Sequence, residues 1–141
     1  MNFTKTLLML IALSSAPLTS VAADTSAQEK AAIEAATKWL KVVDAGKYEE
    51  SWKETASFFQ AKITAAQWKA AAASSRTPFG KVISRKLKSK TYTTQPPGAP
   101  NGEYVVLLFD TDFAHKKGAV ETVAPMLDTD KHWKVSGYYI R

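Results

Sequence analysis

The chain has 141 residues, 19 Lys and Arg against 13 Asp and Glu for a formal charge of +6, two His and no Cys. That size holds one core and leaves no room for a second domain, and the missing thiols exclude a disulfide framework, a cysteine nucleophile, a thiolate metal site and a lipid-anchored lipoprotein. The positive balance is moderate, so stability is expected from packing of the four Trp, five Tyr and six Phe.

At the N-terminus Lys5 leads into the apolar run Leu7 to Leu13 and then into the small-residue exit Val21-Ala22-Ala23. A positive head, an apolar centre of about 7 to 15 residues and small residues before the cut form the layout of a secretory signal peptide. The run is shorter than the roughly 20 residues a spanning helix requires. The expectation is therefore export, to the periplasm or the medium, with residues 1–23 removed and residues 24–141 forming a single α+β domain without a transmembrane segment. An exported protein rarely meets nucleic acid, so none is expected as a partner.

Thr25-Ser26-Ala27-Gln28 reads as a capping box, and Ile33, Ala36, Leu40 and Val43 recur at helical spacing behind it, up to a natural stop at Gly46. Tyr48, Trp52, Ala56 and Phe59 share one face of a second short helix, whose aromatic stripe suits a core better than a ligand platform. Thr64-Ala65-Ala66-Gln67 is another capping box, with Ile63 and Trp68 placed as a hydrophobic staple, and this third helix should end near Arg76 or Thr77 because Pro78 follows.

Beyond Gly80 the pattern turns to β-branched and alternating residues. A first strand is expected from Val82 through Thr94, then a Pro- and Gly-rich loop ending in the turn signal Asn101-Gly102. A second strand follows over Glu103 to Phe113. Lys117-Gly118 marks the turn into a third, Ala119 to Leu127, and Asp128 to Lys131 the turn into a fourth, His132 to Ile140. Three helices followed by a four-stranded antiparallel meander make an α+β fold in which helices cover one face of a curved sheet. Tyr104, Val106 and Leu108 fall on the other face, where uncovered apolar surface would suit a homodimer contact.

Between Glu54 and Glu103 there is no acid, while Lys62, Lys69, Arg76, Lys81, Arg85, Lys86, Lys88 and Lys90 all fall there. Such a run serves either as a patch for anionic head groups, cell-wall polymer or an acidic ligand, or as the solvated side of a strand whose lysines guard an edge. Arg76 and Arg85 stand out because the guanidinium fork matches carboxylate or phosphate. Arg85 shares strand parity with Ile83 and Leu87, which directs it toward the helices. A structural ion pair with Asp44 or Glu54 is the first expectation for these arginines, and ligand binding, with Tyr138, the second.

The run Trp39-Leu40, Val43-Asp44-Ala45-Gly46-Lys47-Tyr48, Ser51-Trp52, Trp68, Arg76-Thr77-Pro78-Phe79-Gly80, Ser84-Arg85 and Trp133-Lys134-Val135-Ser136-Gly137-Tyr138-Tyr139-Ile140 resembles the DUF4019 family of small exported bacterial proteins over residues 28–141. More loosely, the element order is similar to NTF2-like or cystatin-like cones. The family carries no assigned chemistry, so the resemblance implies fold and export and brings no catalytic residues.

Cone folds include lyases and isomerases, and proton abstraction beside a carbonyl would need a carboxylate or His in an apolar pocket with a Tyr donor. The candidates are Asp110, Asp112, His115 and His132, with Tyr104, Tyr138 or Tyr139. Strand parity sets Asp110 and Asp112 opposite the apolar face of Val105, Leu107, Phe109 and Phe113. No Gly-x-Ser-x-Gly elbow or phosphate-binding glycine motif occurs, and a calcium loop from Asp128 would need Gly and Glu where Trp133 and Tyr139 stand. No metal or cofactor is expected. The reading is a non-enzymatic binding or interaction domain for a small molecule, a protein or an envelope component, with a cone-fold lyase or isomerase as the alternative.

Overall fold

The structure, a computed structural model, describes residues 23–141, so the signal-peptide reading lies, but for Ala23, outside the described residues. Four helices precede four strands: α1 (Ser26–Asp44), α2 (Tyr48–Lys53), α3 (Ser57–Lys62), α4 (Ala65–Arg76), then β1 (Val82–Thr93), β2 (Tyr104–Phe113), β3 (Lys116–Leu127) and β4 (Trp133–Ile140). A single 3-10 turn, Thr77–Phe79, joins the halves. Among the described residues no helix is long and apolar enough to cross a membrane.

In α1 the buried positions Ala32, Ala36, Trp39, Leu40 and Val43 form one stripe that lies across the sheet; burying side chains the size of Leu40 or Val43 contributes about 1.5–3 kcal/mol each. Its expected capping box does not form. The Thr25 hydroxyl donates instead to the Glu29 carboxylate at 2.9 Å, and Asp24 accepts from the Ser26 amide at 3.0 Å. The Thr25 hydroxyl is thus committed to Glu29 and makes no bond to the helix backbone, while the Asp24 carboxylate before the helix is favoured by the aligned peptide dipoles.

The expected second helix is two. After Lys53 the Thr55 hydroxyl donates to the Trp52 carbonyl, and the Ala56 amide, in extended conformation, donates 2.9 Å across to the Val135 carbonyl in β4. The Gln60 amide then closes over the Trp52, Lys53 and Thr55 carbonyls at 3.1–3.2 Å. Tertiary bonding to the sheet thus replaces one helical turn. The Thr64–Gln67 capping box does form, with both reciprocal bonds present, and α4 ends at Arg76 ahead of Pro78. Gly80 follows at φ +74°, and a Cβ there would lie 2.9 Å from His115 Cδ2, so this close approach to the β2–β3 hairpin requires glycine.

The sheet is open, antiparallel and ordered β1-β2-β3-β4. The β2–β3 turn is Ala114-His115 rather than Lys117-Gly118, because β3 begins at Lys116 opposite Phe113 and the Gly118 amide bonds to Asp112 inside a register shift. Val105, Leu107, Phe109 and Phe113 are buried on the helix side with Ala119, Val123 and Val135, as parity requires. On the far side Val106 and Leu108 are half-buried, but Tyr104, expected to lie open there, is only 2 % exposed. Its hydroxyl donates to the Pro100 carbonyl, and the loop before β2 lies against it.

Candidate functional site

Trp39 and Trp68 meet at 5.7 Å between ring centroids, Tyr138 packs on both at 5.5 and 6.0 Å, and Phe59 meets Trp68 edge-on at 5.4 Å. A buried indole needs an acceptor for its N–H. Wholly buried Ser51 serves both tryptophans, its carbonyl accepting from Trp39 and its hydroxyl from Trp68, each at 2.9 Å. Helices α1, α2 and α4 are joined at that one serine.

Beside this aromatic cluster lies a buried ionic one. Glu121, on the helix face of β3, is 0 % exposed. Its Oε1 accepts from Arg85 Nε at 2.8 Å and from the Thr111 hydroxyl at 2.6 Å; its Oε2 accepts from Arg85 Nη2 at 3.3 Å and, in a short contact, from the Tyr138 hydroxyl. Arg85 turns its other edge to Asp44 at the end of α1, with Nη1 to Oδ2 at 2.8 Å and Nη2 to Oδ1 at 3.0 Å. Arg76, 5 % exposed at the end of α4, adds Nη2 to Asp44 Oδ1 at 2.7 Å and sets its guanidinium carbon 4.9 Å over the Phe113 ring. Two cations and two carboxylates therefore tie α1, α4, β1 and β3 together, with β2 and β4 supplying hydroxyl donors.

Each charge answers to its neighbours. Burial alone would raise the Asp44 carboxyl, yet the bonds from Arg85 and Arg76 hold it below the usual range. Burial works against the Arg85 and Arg76 cations, but the facing carboxylates keep both above the ordinary arginine value. Burial, with the Glu121 carboxylate beside it, pushes the Tyr138 phenol far above a normal tyrosine. The arrangement holds protons firmly in place.

All three residues singled out as ligand candidates, Arg76, Arg85 and Tyr138, lie in this cluster, and Asp44, not Glu54, is the acid both arginines meet. Glu121 and Thr111 are the partners sequence reasoning missed. Parity held the signal: Glu121 shares the face of Ala119 and Val123, and Thr111 that of Phe109 and Phe113. The carboxylate and histidine candidates are dispersed. Asp110 is exposed beside Lys88, Asp112 bonds the Gly118 amide, His115 sits in the β2–β3 turn against Gly80, and His132 lies in the β3–β4 turn. Tyr139 is 68 % exposed. Among the described residues no group of three or more His, Asp or Glu could hold a metal ion.

The basic run is not one surface. Lys90 crosses to the helix side and pairs with Glu29 at 2.8 Å, and Lys88 meets Asp110 at 3.7 Å on the far side. Asp128, weighed as a calcium-loop start and read as an ordinary turn residue, proves structural: 5 % exposed, it accepts from the Ser57 hydroxyl at 2.6 Å and the Ser57 amide at 3.0 Å, capping α3 from the β3–β4 turn.

Neither Glu121 nor Tyr138 lines any of five well-formed clefts in the described surface. One, of about 200 Å³, is bounded by Val43, Asp44, Tyr48, Arg76, Gly80 and Lys81, with Thr77. No curated protein and no solved structure matches the chain significantly. Residues 35–138, which run from α1 through Tyr138 and so contain every member of the ionic cluster, match a family described as a protein of unknown function, DUF4019, and the chain belongs to that family.

Proposed function

We propose that residues 24–141 are an exported, non-catalytic binding or interaction domain, acting in the periplasm or the medium on a small molecule, a protein or an envelope component. The observation that carries this reading is the closed state of the ionic cluster. Glu121 is the one acid wholly buried on the apolar sheet face among the described residues, and both its oxygens are engaged by Arg85, Thr111 and Tyr138. General base chemistry needs a carboxylate within reach of a substrate proton, and a wholly buried brace with both oxygens engaged is poorly suited to it. Recognition is then left to the surface clefts. The helices-then-meander order supports the looser NTF2-like or cystatin-like likeness, and the half-buried Val106 and Leu108 of the far sheet face support a homodimer contact there.

Native mass spectrometry of the protein purified gently from the compartment where it accumulates tests the reading. A mature N-terminus near Asp24 with a non-covalent adduct or a protein partner is the expected result. An intact chain retaining residues 1–23 in the cytosol would refute export, and turnover of a carbonyl substrate abolished by Glu121→Gln would restore the lyase or isomerase alternative. Light scattering at high micromolar concentration decides between monomer and dimer.

A further inference from the structure

The two arginines of the cluster are used differently. Arg85 directs Nε, Nη1 and Nη2 at carboxylate oxygens, whereas Arg76 makes a single side-chain hydrogen bond, Nη2 to Asp44. Its Nε and Nη1 are buried and have no acceptor among the described residues. Buried donors in folded proteins almost always have partners, and a guanidinium held by one polar contact has donors left to satisfy.

Arg76 lies at the inner wall of the cleft of about 200 Å³ between the ends of α1 and α4. Phe113 covers one face of its guanidinium. At the rim stands Lys81, exposed and without an ion-pair partner within 4.0 Å among the described residues. Asp44 also borders the cleft, but its carboxylate already accepts three N–H groups from Arg76 and Arg85. With Arg76, Arg85 and Lys81 set against Asp44 and Glu121, the local balance is positive by one charge. Val43 and the half-buried Tyr48 ring add an apolar wall.

We infer that this cleft binds a small monocarboxylate with a short apolar tail, its carboxylate accepting from the free Arg76 donors and facing Lys81. A planar anion of single charge matches both the guanidinium fork and the net charge of the surroundings, and the tail lies along Val43 and Tyr48. Arg76 reaches it by a rotamer shift toward the cleft, keeping or exchanging its one bond to Asp44. This inference rests on the binding-domain reading and names its ligand class.

The test follows the Arg76 Nε–Hε signal and the Gly80 and Lys81 amides of the 15N-labelled protein by NMR, with sodium propionate, sodium phosphate and sodium chloride added at constant ionic strength. Propionate should give saturable shifts at all three, chloride none, and phosphate weaker ones. Reversing the rim charge with Lys81→Glu, at an exposed position, should weaken propionate by roughly tenfold, and Arg76→Lys should remove saturation. Absence of saturable shifts at Arg76 up to tens of millimolar, equal responses to propionate and chloride, tighter binding of phosphate, or affinity indifferent to Lys81→Glu would each overturn the inference. Should Arg76→Lys fail to fold, the Lys81→Glu comparison still decides. A native-mass adduct found without any propionate response would defeat this inference alone and leave the binding-domain reading standing.

Discussion

Replacing Arg85 with Met should destabilise the domain by about 3–5 kcal/mol, because removing one member of a buried ion pair strands the other. Asp44, with a side chain 26 % exposed, retains Arg76 and gains water in the variant. The penalty therefore falls on Glu121, which is 0 % exposed and keeps only the Thr111 and Tyr138 hydroxyls once the two Arg85 bonds are gone. Charge-assisted hydrogen bonds contribute about 1.5–3 kcal/mol each, so two lost bonds match the pair estimate. For a domain of this size about 1 kcal/mol corresponds to roughly 4 °C, giving a fall in melting temperature of about 12–20 °C. Thermal and urea melts followed by circular dichroism and tryptophan fluorescence read the change. In the double variant Arg85→Met/Glu121→Gln the stranded charge is gone, so its loss should be smaller than the sum of the two single losses by about 2 kcal/mol. An Arg85→Met protein melting within about 2 °C of the parent, or a double variant showing the full sum, would refute the buried brace.

Asp128→Asn should flatten the acid limb of stability. Burial would raise this carboxyl from 3.8, but bonds from Ser57 and Thr129 and the charge of Lys134 hold it down at about 2. A depressed folded value stabilises fully above the unfolded one and is lost as pH falls through the folded one, so about 2 kcal/mol should disappear between roughly pH 4 and pH 2; a difference between parent and variant that stays constant across that window would contradict the cap. Gly80→Ala should cost more than Gly46→Ala in chemical melts. Both have φ +74°, which costs about 1–2 kcal/mol with a side chain, but only at Gly80 does the new Cβ meet His115; equal losses would remove the close packing from the account. Thr64→Ala should cost about 1 kcal/mol as a true N-cap, whereas Thr25→Ala, whose hydroxyl meets Glu29 instead of the helix backbone, should stay within about 0.5 kcal/mol, and a reversed order would show the two caps misassigned.

Elements whose signals are local were legible in the chain itself. The Thr64–Gln67 box and Pro78 bound α4, and the alternation of Val105, Leu107, Phe109 and Phe113 set the buried face of β2 and turned Asp110 and Asp112 away from it. Side chains at period two must point to opposite faces whatever the sheet pairs with, and a capping box closes within four residues. Parity likewise directed Arg85 inward, and Asp44 was among the acids expected to meet it.

What the chain alone did not decide depends on groups far apart in sequence. The break between α2 and α3 exists because the Val135 carbonyl of β4 takes the Ala56 amide, and α3 is capped by Asp128 rather than by a neighbour. Glu121 meets Arg85 only because β2 lies between their strands in register, with Thr111 opposite Arg85 and donating diagonally to Glu121, which itself stands opposite Phe109. The basic run from Lys81 to Lys90 divides between two faces because the irregularity after Leu87 shifts its parity. Residue order thus determined the α+β class and the direction most side chains face, while the partners of the buried charges were selected by strand register and helix docking, since a buried charge is stable only where the assembled fold delivers its opposite.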